Sequence, residues 1–438
     1  MDESLCLATE RFRRLLEARH FVLACLALHI LLRLTPIVSL PLSMTSDAAW
    51  YVNRAASIAA GEGYAEEGFL TAYWPVGYPG FLGTAFWLFG PSVLVAQLAN
   101  VCLSALSALL CLGIARIILG DETAARLTLL LFTMYPNNVA YASLSMSEIF
   151  FTTVFLLGIF LFLRFPTPYG AVTSGLVFGL GTLTKPQVMF FPLLLLGRQF
   201  LLDASWRRLR VGALLLYAAI LLMLGPWAIR NFVVFDEFVL VSTNGGTNLL
   251  MGNNPHATGT YRSNDALFTG IGFSVADQVA VDKRARQLAM EWIREHPGRF
   301  LALIPRKLWH MWATDGEAEW FYQVGYAAYQ RHALWFRIVR VFNQGFYLTL
   351  LVTAGVMLWA MIRGRILPPS PWTSLIYWII LYFTTISVVF MGGPRFHFPV
   401  MPWITMGAAW GMTRAIRRWS DSAGSEGRRG KRGALREA

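Results

Sequence analysis

Charged residues are scarce in this chain: they make up 14% of its 438 residues, against 56% hydrophobic, and the mean hydropathy is +0.50. Soluble domains carry about a quarter of their residues as charges, so this composition excludes an ordinary water-soluble globule. Cysteine is nearly missing as well. Of the four, Cys6 lies in the amino-terminal tail and Cys25, Cys102 and Cys111 lie in apolar runs. That placement indicates neither a disulfide framework nor a thiolate metal site. The chain has no Gly-Lys-Ser/Thr phosphate loop and no GxGxxG following a strand, the common nucleotide-binding signatures. No internal repeat is visible, which counts against transporters built from duplicated halves.

What is present is apolar length. Crossing ~30 Å of hydrocarbon takes about 20 residues, and ten stretches read as spans, at 21–43, 91–118, 125–142, 146–163, 171–185, 187–202, 211–229, 334–362, 373–391 and 397–413. The fifth is short and is expected to tilt or to pair with the sixth as a broken hairpin. Residues 80–90 are apolar but too short to span, and read as an interfacial segment. The class is therefore an all-α polytopic membrane protein.

Basic residues near the span ends set the orientation. They gather in the amino-terminal tail (Arg11, Arg13, Arg14, Arg19), at alternate connections, and in the tail from Arg414 to Arg436. With an even number of spans, both termini are expected in the cytoplasm. The net charge of +12 is then a topology signal and an attraction to anionic lipid headgroups, not a nucleic-acid footprint. The first span contains Arg33 and shows no small-residue cleavage site, so it reads as a retained signal anchor. The expected organisation is a basic tail (1–20), a transmembrane module (21–230) carrying the first outer loop (44–80), a large outer loop (231–332), a second transmembrane module (333–417) and a basic, disordered tail (418–438). Arginine is strongly preferred over lysine, which suggests a GC-rich bacterial source and hence the plasma membrane.

With the ends so placed, the unusual polar segments 44–80, 134–148, 183–187, 226–332 and 391–402 all fall on the outer side. That convergence argues for one extracytoplasmic site built from several helix ends. Asp47 sits where the first span ends, and Thr45 or Ser46 is placed to cap a short helix beginning there. Asp47, Tyr51 and Arg54 follow at i, i+4 and i+7 and so share a helix face. Glu148 opens the fourth span, where a carboxylate also suits the helix dipole. Lys185 lies between two apolar segments, where it either snorkels to headgroups or binds a phosphate. Arg395, in a Gly-Gly-Pro-Arg-Phe-His turn, is suited to gripping phosphate oxygens bidentately. His397 beside it reads first as a structural or interfacial histidine. Tyr51, Tyr78 and Trp74 fit an interfacial aromatic belt as well as a site. The Asn/Gly turns around Asn244 and Asn253 are ordinary turn chemistry, or else hold sugar hydroxyls. Glu62, Glu66 and Glu67 offer carboxylates without metal-ligand spacing, so a divalent cation stays open as a cofactor. Residues 275–297 pattern as an amphipathic helix with Val281, Ala285, Leu288, Ala289 and Trp292 on one face, and a second helix is expected near 298–313.

An ordered set of short motifs runs through these segments. It comprises Asp47 with Trp50-Tyr51, Gly61-Glu62-Gly63-Tyr64, Tyr73-Trp74-Pro75-x-Gly77-Tyr78-Pro79, Tyr135-Pro136, Ser147-Glu148 and Leu183-Thr184-Lys185-Pro186. Pro226-Trp227-x-x-Arg230-Asn231, Ser242-Thr243-Asn244, Gly252-Asn253-Asn254-Pro255 and Gly392-Gly393-x-Arg395 complete it. In this order, over about residues 20–415, the chain resembles the GT-C membrane glycosyltransferases, the class of protein O-mannosyltransferases and the lipid A aminoarabinose transferase. The resemblance implies a GT-C-type fold of about ten spans, with juxtamembrane helices in the first outer loop and a small helical outer cap. It implies a polyprenyl-phosphate sugar donor and a protein, lipid or glycan acceptor on the outer side. It implies Asp47 and Glu148 as catalytic carboxylates, Lys185, Arg395 and Arg54 as phosphate contacts, and Tyr51, Tyr78, Asn244 and Asn253 as substrate contacts. Many relatives carry a second acid directly after the first; here Ala48 follows Asp47. Two alternatives stay open: a lipid-linked glycan flippase, and an oligosaccharide ligase or polymerase.

Overall fold

The computed structural model describes residues 3–261, 270–272 and 274–417; the basic tail expected over 418–438 lies outside the described residues. Helix dominates. The strands among the described residues are one short antiparallel pair, Ala65–Glu66 and Phe69–Leu70, at the tip of the first loop. In hydrocarbon every unpaired backbone amide is costly, so apolar runs close their own hydrogen bonds as helices. Each of the ten apolar stretches is helical over most of its length. Among the described residues, the helices within Phe21–Ser39, Val93–Leu119, Ser147–Arg164, Trp206–Phe235 and Gln330–Ile362 are long and apolar enough to cross a membrane, and Leu375–Val389 is a shorter apolar helix.

Two stretches are broken where proline removes an amide donor. The run 125–142 divides into Glu122–Met134 and Pro136–Tyr141, with Tyr135 extended before the proline. The run 187–202 opens as a 3-10 turn, Pro186–Phe190, before the helix Phe191–Asp203. The short fifth stretch forms Pro168–Thr182 and packs chiefly along Trp206–Phe235, where Gly175 and Gly179 admit the facing helix. Its main packing is thus along the seventh stretch, and it also meets the 3-10 turn that opens the sixth. Residues 80–90 belong to the helix Gly77–Phe89, which packs on Ser46–Ala59 and leaves Trp87, Leu88 and Phe89 exposed.

The 231–332 region is helical, with Gly245–Gly252, Gln278–Glu295, Pro297–Trp312 and Ala318–Gly325. Gln278–Glu295 buries Val281, Ala285, Ala289 and Trp292 as the spacing predicts, whereas Leu288 is exposed. Gln278 ties this cap to the first outer loop: its Oε1 accepts from the Ala72 amide at 2.8 Å, from Thr243 Oγ1 at 3.0 Å and from Thr71 Oγ1 at 3.2 Å. On the other side the Gly392 amide donates to the Gly259 carbonyl at 2.9 Å. Lys307 is fully buried and donates to Asn253 Oδ1 at 2.7 Å and to the Val388 carbonyl at 3.0 Å. Burial pulls its ammonium down to about 8. The cap therefore bridges the 44–80 loop and the turn at Gly392.

Candidate functional site: a four-charge cluster at the helix ends

Asp47 lies in the first turn of Ser46–Ala59. The expected cap does not form: Thr45 precedes the helix without a side-chain cap bond, and its hydroxyl is buried without a partner. Ser46 instead holds a left-handed backbone, φ 51°, and its hydroxyl donates to Asp47 Oδ1 at 3.4 Å. A non-glycine residue in that region costs of order 1 kcal/mol or more and persists where surrounding contacts over-determine it. Here the strain is adjacent to the Asp47 carboxylate.

Three further ionic side chains meet at Asp47. Arg395 Nη1 donates to Asp47 Oδ2 at 2.9 Å, and its Nε lies 3.5 Å from Glu148 Oε1. Lys185 Nζ donates to that same Glu148 oxygen at 3.1 Å. Glu148 has no exposed surface, while Lys185, Asp47 and Arg395 keep 13%, 23% and 27% of theirs. The cluster thus has a buried floor, Glu148, and three charged groups that a ligand can reach. Its two cations and two carboxylates sum to no net charge.

Each member is delivered by identifiable local structure. Met146 is extended before Ser147–Arg164, so Glu148 sits in that helix's first turn. Lys185 is extended between Pro168–Thr182 and the proline-initiated 3-10 turn. Its neighbour Leu183 accepts the Gly77 amide at 2.6 Å, which locks the Tyr-Trp-Pro-x-Gly-Tyr-Pro turn against the lysine segment. Gly77 is needed for that approach: a methyl there would collide with Thr184 Oγ1 and lie 2.8 Å from the Leu183 carbonyl oxygen. Gly77→Ala is expected to cost about 1–3 kcal/mol of stability through overpacking, read as a lower melting temperature of the detergent-solubilised protein. An unchanged melting temperature would show that the turn yields.

The other sequence candidates divide. Tyr51, one turn after Asp47, is buried, with its hydroxyl 3.5 Å from Ser147 Oγ. It packs edge-on to Tyr78, ring centroids 5.2 Å apart, and against Trp74 at the same distance. These rings form an aromatic wall behind the first turn of the Asp47 helix. Arg54 points elsewhere, donating to the Ala65 carbonyl and lying over the Trp50 ring. Asn244 Oδ1 accepts from Ser242 Oγ at 2.9 Å. Asn253, wholly buried, accepts from Lys307 and donates to the Leu249 and Val389 carbonyls. Neither asparagine joins the charge cluster through a hydrogen bond.

Sequence reasoning missed Glu317 and Asp315. The Arg395 backbone amide donates to Glu317 Oε2 at 3.1 Å. Burial holds the Glu317 carboxyl above its usual range, with the Arg395 charge acting against that rise. Asp315 Oδ1 faces His397 Nε2 at 3.1 Å. Both acids lie in the connection between Pro297–Trp312 and Ala318–Gly325, where carboxylates look like ordinary solvated charges, and no local spacing marks them. Inside the bundle, a second polar knot was also unforeseen: Arg33 donates to Asn138 Oδ1 at 2.6 Å and to Ser104 Oγ at 2.7 Å, with His29 Nε2 3.0 Å from that serine.

No family model and no curated protein sequence matches the chain. Its fold does match solved structures. The Archaeoglobus fulgidus oligosaccharyltransferase, in complex with Zn and sulfate, superposes with a TM-score of 0.55 at 15% identity, covering 91% of this chain and 49% of that one. The archaeal oligosaccharyltransferase from the same organism, with an inhibitory peptide and a dolichol-phosphate, gives 0.52 at 12% identity, covering 93% and 52%. ArnT from Cupriavidus metallidurans bound to undecaprenyl phosphate aligns at 0.44 and 15% identity, over 91% and 79%. The chain spans about half the length of the archaeal oligosaccharyltransferase. What the two archaeal likenesses establish is the architecture: the chain shares the membrane fold of the Archaeoglobus fulgidus oligosaccharyltransferase.

Proposed function

We propose that this protein is an integral membrane glycosyltransferase that moves a sugar from a polyprenyl-phosphate donor to an acceptor on the extracytoplasmic face. The single observation that carries this reading is the cluster of Asp47, Arg395, Glu148 and Lys185, with Glu148 buried beneath three accessible charges. The fold shared with oligosaccharyltransferase supports it. So does the dolichol-phosphate in one of those complexes, a ligand of the class invoked here.

The chemistry proceeds by displacement with inversion. The acceptor oxygen or nitrogen attacks the anomeric carbon and its proton passes to Asp47. The bond from that carbon to the phosphate oxygen breaks, and its electron pair leaves with the polyprenyl phosphate. Lys185 and Arg395 receive the charge that develops there. The electrostatics balance: when Asp47 takes up a proton the cluster becomes one unit more positive, just as the departing phosphate becomes more negative. Arg395 is shared between Asp47 and Glu148. As it turns toward the phosphate, Asp47 is released to accept the proton.

Asp47 and Glu148 each already face a protein cation, and among the described residues no group of three or more His, Cys, Asp or Glu is arranged to hold a metal ion. A divalent ion does not fit this donor set without displacing Arg395 or Lys185, so those two residues take the electrostatic role. EDTA is expected to change the rate by no more than about twofold, since the charge stabilisation is built into the chain. A larger loss, restored by added divalent metal, would overturn this.

The defining experiment supplies the purified protein in lipid with labelled polyprenyl-phosphate sugars and an envelope extract as acceptor, and follows release of free polyprenyl phosphate. Movement of intact donor across the bilayer without release would replace the transferase by a flippase. Lys185→Ala is expected to weaken donor binding about tenfold by removing one charge-assisted contact. Unaltered donor affinity would remove Lys185 from the phosphate site.

A further inference from the structure

We propose that Asp315 and His397 form a positioning pair that holds the Arg395 backbone, so that its guanidinium reaches both the carboxylates and the donor phosphate; the inference deepens the reading above, on which it rests. Arg395 and His397 lie two residues apart on the 3-10 turn Pro394–Val400. Two carboxylates, also two residues apart, grip that turn: Glu317 takes the Arg395 amide at 3.1 Å, and Asp315 takes His397 Nε2 at 3.1 Å. The other ring nitrogen, Nδ1, faces the Met311 carbonyl at 2.5 Å. Both ring nitrogens thus face oxygen atoms of the 311–315 segment, which precedes the turn in the chain.

The grip is built to be rigid. His397 and Asp315 have no exposed side-chain surface. The imidazole is stacked between Trp312 and Tyr347, with centroids 5.7 Å and 5.1 Å away and planes within 15°. Asp315 is itself anchored from three sides, accepting from Asn137 Nδ2 at 2.6 Å, Tyr135 at 3.0 Å and Asn343 Nδ2 at 3.2 Å. Through this pair the turn is fastened to the helices Pro136–Tyr141 and Ala333–Ile362. A long arginine side chain shared between two carboxylates and a phosphate needs its backbone held to about 0.5 Å, and the Asp315–His397 bond supplies that restraint together with the Glu317 contact.

The test uses the full chain in lipid nanodiscs, labelled with 15N-arginine, and a sugar-free isoprenyl monophosphate as the probe. The Arg395 Nε–H resonance is identified by its disappearance in Arg395→Ala. Asp315→Asn and His397→Gln are each expected to broaden or shift that resonance and to weaken isoprenyl monophosphate binding about tenfold. Neither should weaken binding further in an Arg395→Ala background, because both act through that side chain. The paired variant Asp315→Asn/His397→Gln keeps an amide–amide hydrogen bond, and is read in the same way where a single variant fails to fold. An unchanged Arg395 resonance, or further weakening in the Arg395→Ala background, would overturn the proposal and leave the pair a part of the core only. If Arg395→Ala itself leaves affinity intact, the phosphate reading of Arg395 fails, and the resonance alone decides whether the pair positions it.

Discussion

Asp47→Asn is expected to lower turnover by about 10³-fold while donor affinity stays the same or improves. The magnitude is what a positioned general base contributes, about 10²–10⁴. The sign on binding is the more telling part. Asparagine keeps the shape and can still accept from Arg395 Nη1, which now stands 2.9 Å from Asp47 Oδ2. Losing the negative charge leaves Lys185 and Arg395 less neutralised, so an anionic donor meets a more positive site. Misfolding would lower both quantities together; loss of the base alone separates them. Single-turnover release of polyprenyl phosphate, with binding of unreacted donor measured in parallel, distinguishes the two. Turnover near that of the wild type would remove Asp47 from the chemistry and return attention to Glu148.

The second large effect concerns stability. Glu148→Ala strips the buried carboxylate from between Lys185, 3.1 Å away, and Arg395, 3.5 Å away. Two cations would then face each other beside a cavity lined by an aromatic wall. Removing one partner of a buried ion pair typically costs about 3–5 kcal/mol, because the remaining charge is left uncompensated. We expect a steep fall in melting temperature and in the yield of folded protein. Removing the lysine charge at the same time, as Glu148→Gln/Lys185→Met, should restore most of the stability while leaving donor binding impaired. A Glu148→Ala protein as stable as the wild type would mean that solvent reaches the lysine and that the floor of the site is wet.

Much of this arrangement was legible in the residues themselves. Apolar length and proline placement marked the helices, and the gathering of Asp47, Glu148, Lys185 and Arg395 at one set of helix ends followed from the order of the spans. The reason is physical: a charge at the end of an apolar run is costly, so it stands out in the local sequence and its side of the membrane can be counted. What stayed hidden depended on contacts between distant segments. Arg54 shares a helix face with Asp47, but spacing does not reveal that the Ala65 carbonyl and Trp50 ring would take it. Asn253 sits in a turn-like motif, and only the arrival of Lys307 from another helix explains its burial. His397 was visible as a residue but not as half of a pair, because Asp315 approaches from 82 positions away.

Asp47 and Arg395 are 348 positions apart in the chain, whereas Glu148 and Lys185 are separated by 37. Translation adds about 5–20 residues per second, so the carboxylate at residue 47 leaves the ribosome tens of seconds before its arginine exists. The Glu148–Lys185 pair can close early, during insertion of the first half of the bundle, and gives a neutral floor on which to wait. Completion of the cluster is then a late step of assembly, possible only once Arg395 has been made and reaches Asp47 and Glu148.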